Sequence, residues 1–128
     1  MRSRYLLPLV LLITFFPSLS TASAASLTQQ RSLYNQAKLA LSKNDAAPYL
    51  HNRAALRDYP LTPYLAYDEL TQRLPRASDD EVEKFLLEHG DLPQINWMKL
   101  RWLRLLSERQ HWPLFLNYYS PELKFTEL

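Results

Sequence analysis

One glycine, Gly90, serves a chain of 128 residues that carries nine prolines. Glycine is the residue that enters the left-handed backbone region freely and lets the main chain approach a ligand closely. With a single copy, the chain is not expected to build a β-sandwich rich in tight turns, a glycine-rich phosphate loop or a dinucleotide crossover. The prolines act instead as punctuation between helices, since each tolerates the first helical turn and breaks the interior. Cysteine is absent, which excludes disulfides and thiolate metal sites, and the length suits one domain.

The amino terminus has the pattern of an export signal. Residues 1–4 (MRSR) are basic, the thirteen residues from Tyr5 to Pro17 form an apolar run, and Ala22-Ser23-Ala24 offers small residues at a cleavage site. Thirteen residues of helix reach only about 20 Å of a hydrocarbon layer roughly 30 Å thick. The sequence therefore predicts a cleaved signal peptide over 1–24, a mature segment over 25–128, export to the periplasm, and no membrane contact after cleavage. Arg2 and Arg4 leave with the signal, so thirteen basic residues balance thirteen acidic ones. A neutral chain has no broad field to steer nucleic acid towards it, and none is expected as a partner.

Apolar periodicity predicts six helices. Ser26 and Gln29 form a capping box for helix one, over Leu27 to Ser42. Asp45 is the expected N-cap of helix two, which takes Pro48 in its first turn and ends near Arg57. Prolines 60 and 63 push Tyr59 and Thr62 towards extended backbone, with Thr62 then capping a helix three that starts at Pro63 and is stopped by Pro75. Ser78 to Glu81 is a second capping box, with Asp79, Asp80 and Glu81 favoured by the helix dipole. Helix four runs through Val82 and Phe85 to Gly90, where a left-handed C-terminal cap is expected. Asp91-Leu92-Pro93 opens helix five, apolar on most sides and so packed on most sides. Trp112-Pro113 starts helix six, which lasts until Ser120. Short turns and a recurrence near thirty residues predict an all-α fold of antiparallel helix hairpins stacked as a solenoid. The last hairpin has no polar capping helix, so residues 25–128 read as the opening portion of a longer protein.

No residue pattern specifies a reaction. The acids Asp79, Asp80, Glu81 and Glu83 surround a helix start and are read as cap and dipole partners. His51, His89 and His111 lie on separate elements without paired spacing or an adjacent acid, so no metal site is expected. Trp97, Lys99, Arg101, Trp102, Arg104 and Arg109 mix bases with aromatics on helix five; the tryptophans are read as core and the arginines as a solvated flank. No serine has a histidine partner in any local pattern, and no cofactor is implied.

The most specific stretch is Asp58-Tyr59-Pro60-Leu61-Thr62-Pro63-Tyr64-Leu65-Ala66-Tyr67. Together with Gln30 to Tyr34, Val82 to Leu86, Leu92-Pro93 and Trp112 to Pro121, it resembles the N-terminal region of the periplasmic soluble lytic murein transglycosylases. The resemblance implies a U-shaped, right-handed superhelix that joins a lysozyme-like C-terminal domain in a ring acting on peptidoglycan. It implies cleavage of the β-1,4 bond between N-acetylmuramic acid and N-acetylglucosamine to a 1,6-anhydro product, with one glutamic acid as acid and then base. That glutamate belongs to the C-terminal domain, and Glu81, Glu83, Glu88 and Glu108 match no catalytic motif. What the resemblance carries over is a structural motif, Asp58, Tyr59, Pro60, Leu61, Pro63, Tyr64 and Tyr67, fixing how helix two meets helix three. The rival expectation is a stand-alone exported helical-repeat adaptor for a protein partner, without enzymatic activity.

Overall fold

The computed structural model describes residues 25–123, and the proposed signal segment 1–24 lies outside them. Every regular element among the described residues is helical: α1 (Leu27–Leu41), α2 (Ala47–Asn52), α3 (Thr62–Gln72), a 3₁₀ turn (Leu74–Arg76), α4 (Asp79–Glu88), α5 (Ile95–Glu108) and α6 (Trp112–Tyr118). None is long and apolar enough to cross a membrane.

The hydrogen bonds give the winding. Gln30 near the start of α1 donates to the Ala55 carbonyl, and Gln72 at the end of α3 donates to the Leu41 carbonyl at the end of α1. Hence α2 returns along α1, and α3 runs back in the direction of α1. Likewise α4 lies on α5, and α6 folds back on α5.

Two buried clusters result. Tyr34, Ala37, Leu41, Tyr49, Leu56 and Tyr59 close a first layer around Leu65 of α3. Tyr67 and Leu70 of the same helix face a second, larger layer, where Val82, Met98, Trp102 and Leu106 are almost wholly excluded from solvent. Ala66 packs against both.

Several caps depart from the sequence reading. The Ser26–Gln29 box forms reciprocally, but at α4 only Ser78 caps, accepting from the Glu81 amide, while the Glu81 carboxylate turns to Arg73. Asp45 accepts from the Ala47 amide one position ahead of the helical cap at Ala46. Helix α2 ends at Asn52 instead of near Arg57, because the Asn52 amide takes the Pro48 carbonyl and the chain leaves in successive turns. Thr62 is neither extended nor a cap: it is the first residue of α3, and its hydroxyl donates to the Leu56 carbonyl at 2.6 Å. Helix α3 ends at Gln72, and Pro75 lies inside the 3₁₀ turn beyond it. Helix α5 starts at Ile95, after turns that occupy Asp91 to Gln94.

Gly90 has no positive φ, contrary to expectation. The space around it is what requires glycine: a Cβ there would lie 2.9 Å from the Leu86 carbonyl oxygen. Gly90→Ala should therefore cost about 1–3 kcal/mol as the backbone shifts, read as a lower urea midpoint at unchanged slope; an unchanged midpoint would remove the steric argument. The left-handed positions are Asn44 and Gln110, both at φ 59°. Each sits at the turn after a long helix, where Asp45 bonds back to Ala40 and His111 to Leu106, the six-to-one bond of a Schellman cap. Gln110→Gly should raise stability by about 0.5–1 kcal/mol, because glycine enters this region without Cβ strain. Thermal unfolding followed by circular dichroism checks it, and a drop in Tm would refute it.

Candidate functional site

Of the carboxylates picked out by sequence, Asp79, Glu81 and Glu83 are bound into structure, while Asp80 is exposed and makes no side-chain hydrogen bond or ion pair among the described residues. Asp79, only 15% exposed, accepts from Trp102 Nε1 at 3.0 Å and Arg109 Nη1 at 2.9 Å through Oδ1, and meets His111 Nδ1 at 2.6 Å through Oδ2. Arg109 also donates to the Pro75 carbonyl. Burial pulls the Asp79 carboxyl upward, but the bonds from Trp102 and His111 and the charges of Arg109 and His111 outweigh it and hold it below the usual carboxylate value. The reading of His111 as lacking an acid partner is thus corrected; the partner lies 32 residues away. Arg109, read as solvated flank, belongs to the same knot.

Glu81 is clasped by both terminal nitrogens of Arg73, whose Nε also holds buried Glu69 at 2.5 Å. The Arg73 bonds keep the Glu81 carboxyl low. Glu83 accepts from the Tyr118 hydroxyl at 2.6 Å, and burial together with that carboxylate pushes the phenol up to about 12. Glu88 pairs with Lys84 at 3.8 Å. Burial also raises the Asp68 carboxyl against an opposing pull from Lys38, yet Asp68 lines neither part of the groove described below. No group of three or more metal-ligating side chains occurs among the described residues.

On α5 the two tryptophans part company. Trp102 is fully buried, whereas Trp97 is 44% exposed with the Arg101 guanidinium 4.8 Å from its ring centre. The reading of both as core is corrected for Trp97, which sits one helical turn before Arg101 on the outer face.

The motif of residues 58–67 is divided by burial. Tyr59 is buried with its ring 5.4 Å from Tyr34, and Tyr67 is buried with its hydroxyl on the Gln94 carbonyl at 3.2 Å. Tyr64 and Pro63 are half-buried, while Asp58, Pro60 and Leu61 are exposed.

The turns after α2 and the start of α3 form one wall of a groove whose other wall is the end of α4. Its wide half, of about 600 Å³, is lined by Tyr49, Arg53, Ala54, Arg57, Thr62, Pro63, Ala66 and His89. No carboxylate lines it. A narrower extension of about 190 Å³ continues past Arg53 and Ala66 to Arg73, Glu81, Lys84 and Glu88. The Arg53 guanidinium stands 5.8 Å from the Tyr49 ring centre, and the His89 ring leans on Phe85 at 4.8 Å. Sequence reasoning missed this site, because its polar side chains come from two segments more than thirty residues apart, Arg53 with Arg57 after α2 and His89 after α4. The two guanidinium groups suit its wide half to an anion.

No protein-family model matches the chain. Curated relatives do. The chain is 34% identical over 103 residues to the soluble lytic murein transglycosylase of Escherichia coli strain K12, covering 80% of this chain and 16% of that protein. It is 33% identical over 101 residues to the protein of the same name from Salmonella typhimurium, covering 79% of this chain and 16% of that one. Among solved structures, an inactive mutant of the lytic transglycosylase Slt from Pseudomonas aeruginosa shares 68% identity at a TM-score of 0.71, over 74% of this chain and 16% of that one. The chain thus spans about a sixth of the length of the relatives it matches.

Proposed function

The chain belongs to the soluble lytic murein transglycosylase family, and from that premise we propose that it is the N-terminal scaffold portion of an exported enzyme that cleaves peptidoglycan. In this reading residues 1–24 are the signal peptide, residues 25–128 begin a helical superhelix, and the protein works in the periplasm. The superhelix meets a lysozyme-like C-terminal domain of the same polypeptide, which carries the glutamic acid that opens the β-1,4 MurNAc–GlcNAc bond to a 1,6-anhydro product.

The observation that carries this reading is the 68% identity to Slt, together with a shared helical path, over three quarters of the chain. The carboxylates support it too, since Asp79, Glu81, Glu83 and Glu88 are each taken up by a cation or a phenol. The face of α6 supports it further. Trp112 is 50% and Leu116 69% exposed, and α6 buries no residue fully; a following helix hairpin of the superhelix would cover such a face. Within the scaffold, Asp58, Tyr59, Pro60, Leu61, Pro63, Tyr64 and Tyr67 act as the joint between α2 and α3. Tyr59 anchors it in the first core layer and Tyr67 in the second.

An antibody to residues 25–128, applied to a periplasmic extract, should detect a polypeptide several times heavier than this segment. Detection of a species of the segment's own size alone would replace the enzyme with an exported adaptor.

A further inference from the structure

The wide half of the groove carries cations without matching acids. Arg53 and Arg57 are exposed, and neither is in a salt bridge among the described residues. His89 is half-buried on the opposite wall, with its ring fixed against Phe85 and no side-chain hydrogen bond among the described residues. Elsewhere in this fold the groove-lining charges are satisfied, as Arg73 is by Glu69 and Glu81 and Glu88 is by Lys84. The charges are therefore unevenly placed: the narrow half holds the paired ions and the wide half has no carboxylate in its lining, with Arg53 lining both halves and helping to lower the Glu81 carboxyl, and Arg57 lining the wide half only.

The ligand chemistry follows from the lining. Guanidinium groups four residues apart, at the end of α2 and in the turns after it, offer planar forks suited to a carboxylate. The walls between them, Ala54, Pro63 and Ala66, are small and apolar, and accept methyl groups better than rings. Tyr49 lines the groove, but it is buried and the Arg53 guanidinium stands over its ring. The lining has no other tyrosine, and no tryptophan or phenylalanine, on which a sugar could stack. A volume of about 600 Å³ falls within the range of small-ligand sites and holds a few residues of peptide.

We propose that this half of the groove binds the carboxylate end of a murein stem peptide, a short alanine-containing acidic peptide, through Arg53 and Arg57 with His89 at its flank. The proposal rests on the murein reading above and adds to it a peptide subsite on the scaffold, separate from any glycan-cleaving centre. The scaffold then recognises peptide-bearing strands and ignores peptide-free ones.

The test is calorimetric titration of the full chain with the tetrapeptide released from murein, with the same peptide amidated at its carboxyl groups, and with peptide-free glycan strands. The free peptide should bind. Amidation, or the double variant Arg53→Gln with Arg57→Gln, should weaken binding by about tenfold or more, as loss of a bidentate ionic contact does. Arg104→Gln, an exposed change on α5 outside the groove, should leave binding within about twofold. Both arginines of the double variant are on the surface, so its Tm should stay at the wild-type value, and a fall would be matched by repeating the titration with Arg53→Lys and Arg57→Lys, which keep the charge and should bind at intermediate strength.

Equal affinity for free and amidated peptide overturns the proposal, as does no affinity for either or an equal loss in Arg104→Gln. A heavy periplasmic polypeptide combined with no peptide binding overturns the subsite alone. Absence of the heavy polypeptide overturns the enzyme reading, whatever the titration shows.

Discussion

Trp102→Ala should destabilise the protein by about 4 kcal/mol, within the range for removing a fully buried large aromatic. The side chain has no solvent exposure, and its ring meets Tyr118 edge-on at 5.1 Å. The substitution also leaves Asp79 without its indole donor. In a domain of this size such a loss lowers Tm by roughly 15–30 °C and consumes much of a typical total stability of about 5–15 kcal/mol. Trp102→Phe separates the two contributions. It retains most of the ring and loses the Nε1 bond, so it should cost about 1–2 kcal/mol. Urea unfolding of the three proteins measures both values. A cost for Trp102→Ala below about 1 kcal/mol would mean that the ring is not the centre of the second layer.

Asp79→Ala should cost about 3 kcal/mol, because it removes one acceptor from three donors on two other elements and leaves a half-buried guanidinium unpaired. The pH dependence follows from the direction of the Asp79 shift. Its carboxyl lies below the ordinary value in the folded protein, whereas the unfolded chain titrates near about 3.9. The folded state therefore binds the proton less readily than the unfolded state. The stabilisation is fully present above the unfolded value and is lost as pH falls through the folded one. Glu81, also depressed, adds in the same direction. Asp79→Asn keeps a neutral acceptor and removes the titration, so its stability should fall less steeply than that of the wild type below about pH 4. Chemical unfolding at several pH values measures the slope, and parallel acid limbs would show that the knot is not ionic.

The helices were legible because apolar spacing is local. Tyr34, Ala37 and Leu41, or Met98, Trp102 and Leu106, need only about two turns of backbone to declare a buried face. The C-terminal caps were half legible. Helix one gives out near Ser42 and helix six opens at Trp112 as the sequence predicts, but the left-handed residues are Asn44 and Gln110 instead of Gly90. Backbone bonds to Ala40 and Leu106 decide those positions, and the side chain there only has to tolerate them. Thr62 shows tertiary context overriding a local preference: Pro63 disfavours helix at the residue before it, yet a 2.6 Å bond to Leu56 holds Thr62 in α3.

The site was the least legible part. Asp79 and His111 are 32 positions apart, and the groove joins Arg53 to His89 across α3, the 3₁₀ turn and α4. Such pairs have no periodicity of their own and exist only once the helices have stacked. The family, by contrast, could be recognised early from the Asp58 to Tyr67 string, because two prolines and three tyrosines within ten residues are a local pattern that needs no folded structure to be read.

The position of α3 between two separate layers bears on how the molecule wears. Leu65 belongs to one layer and Tyr67 to the other, with Ala66 common to both. A protease or a pulling force that works from the amino end strips α1 and α2 from one side of α3 and meets a second barrier there, since the far side of that helix is still buried against α4 and α5. Damage advances in steps, each as large as one layer, and α3 is the firebreak between them.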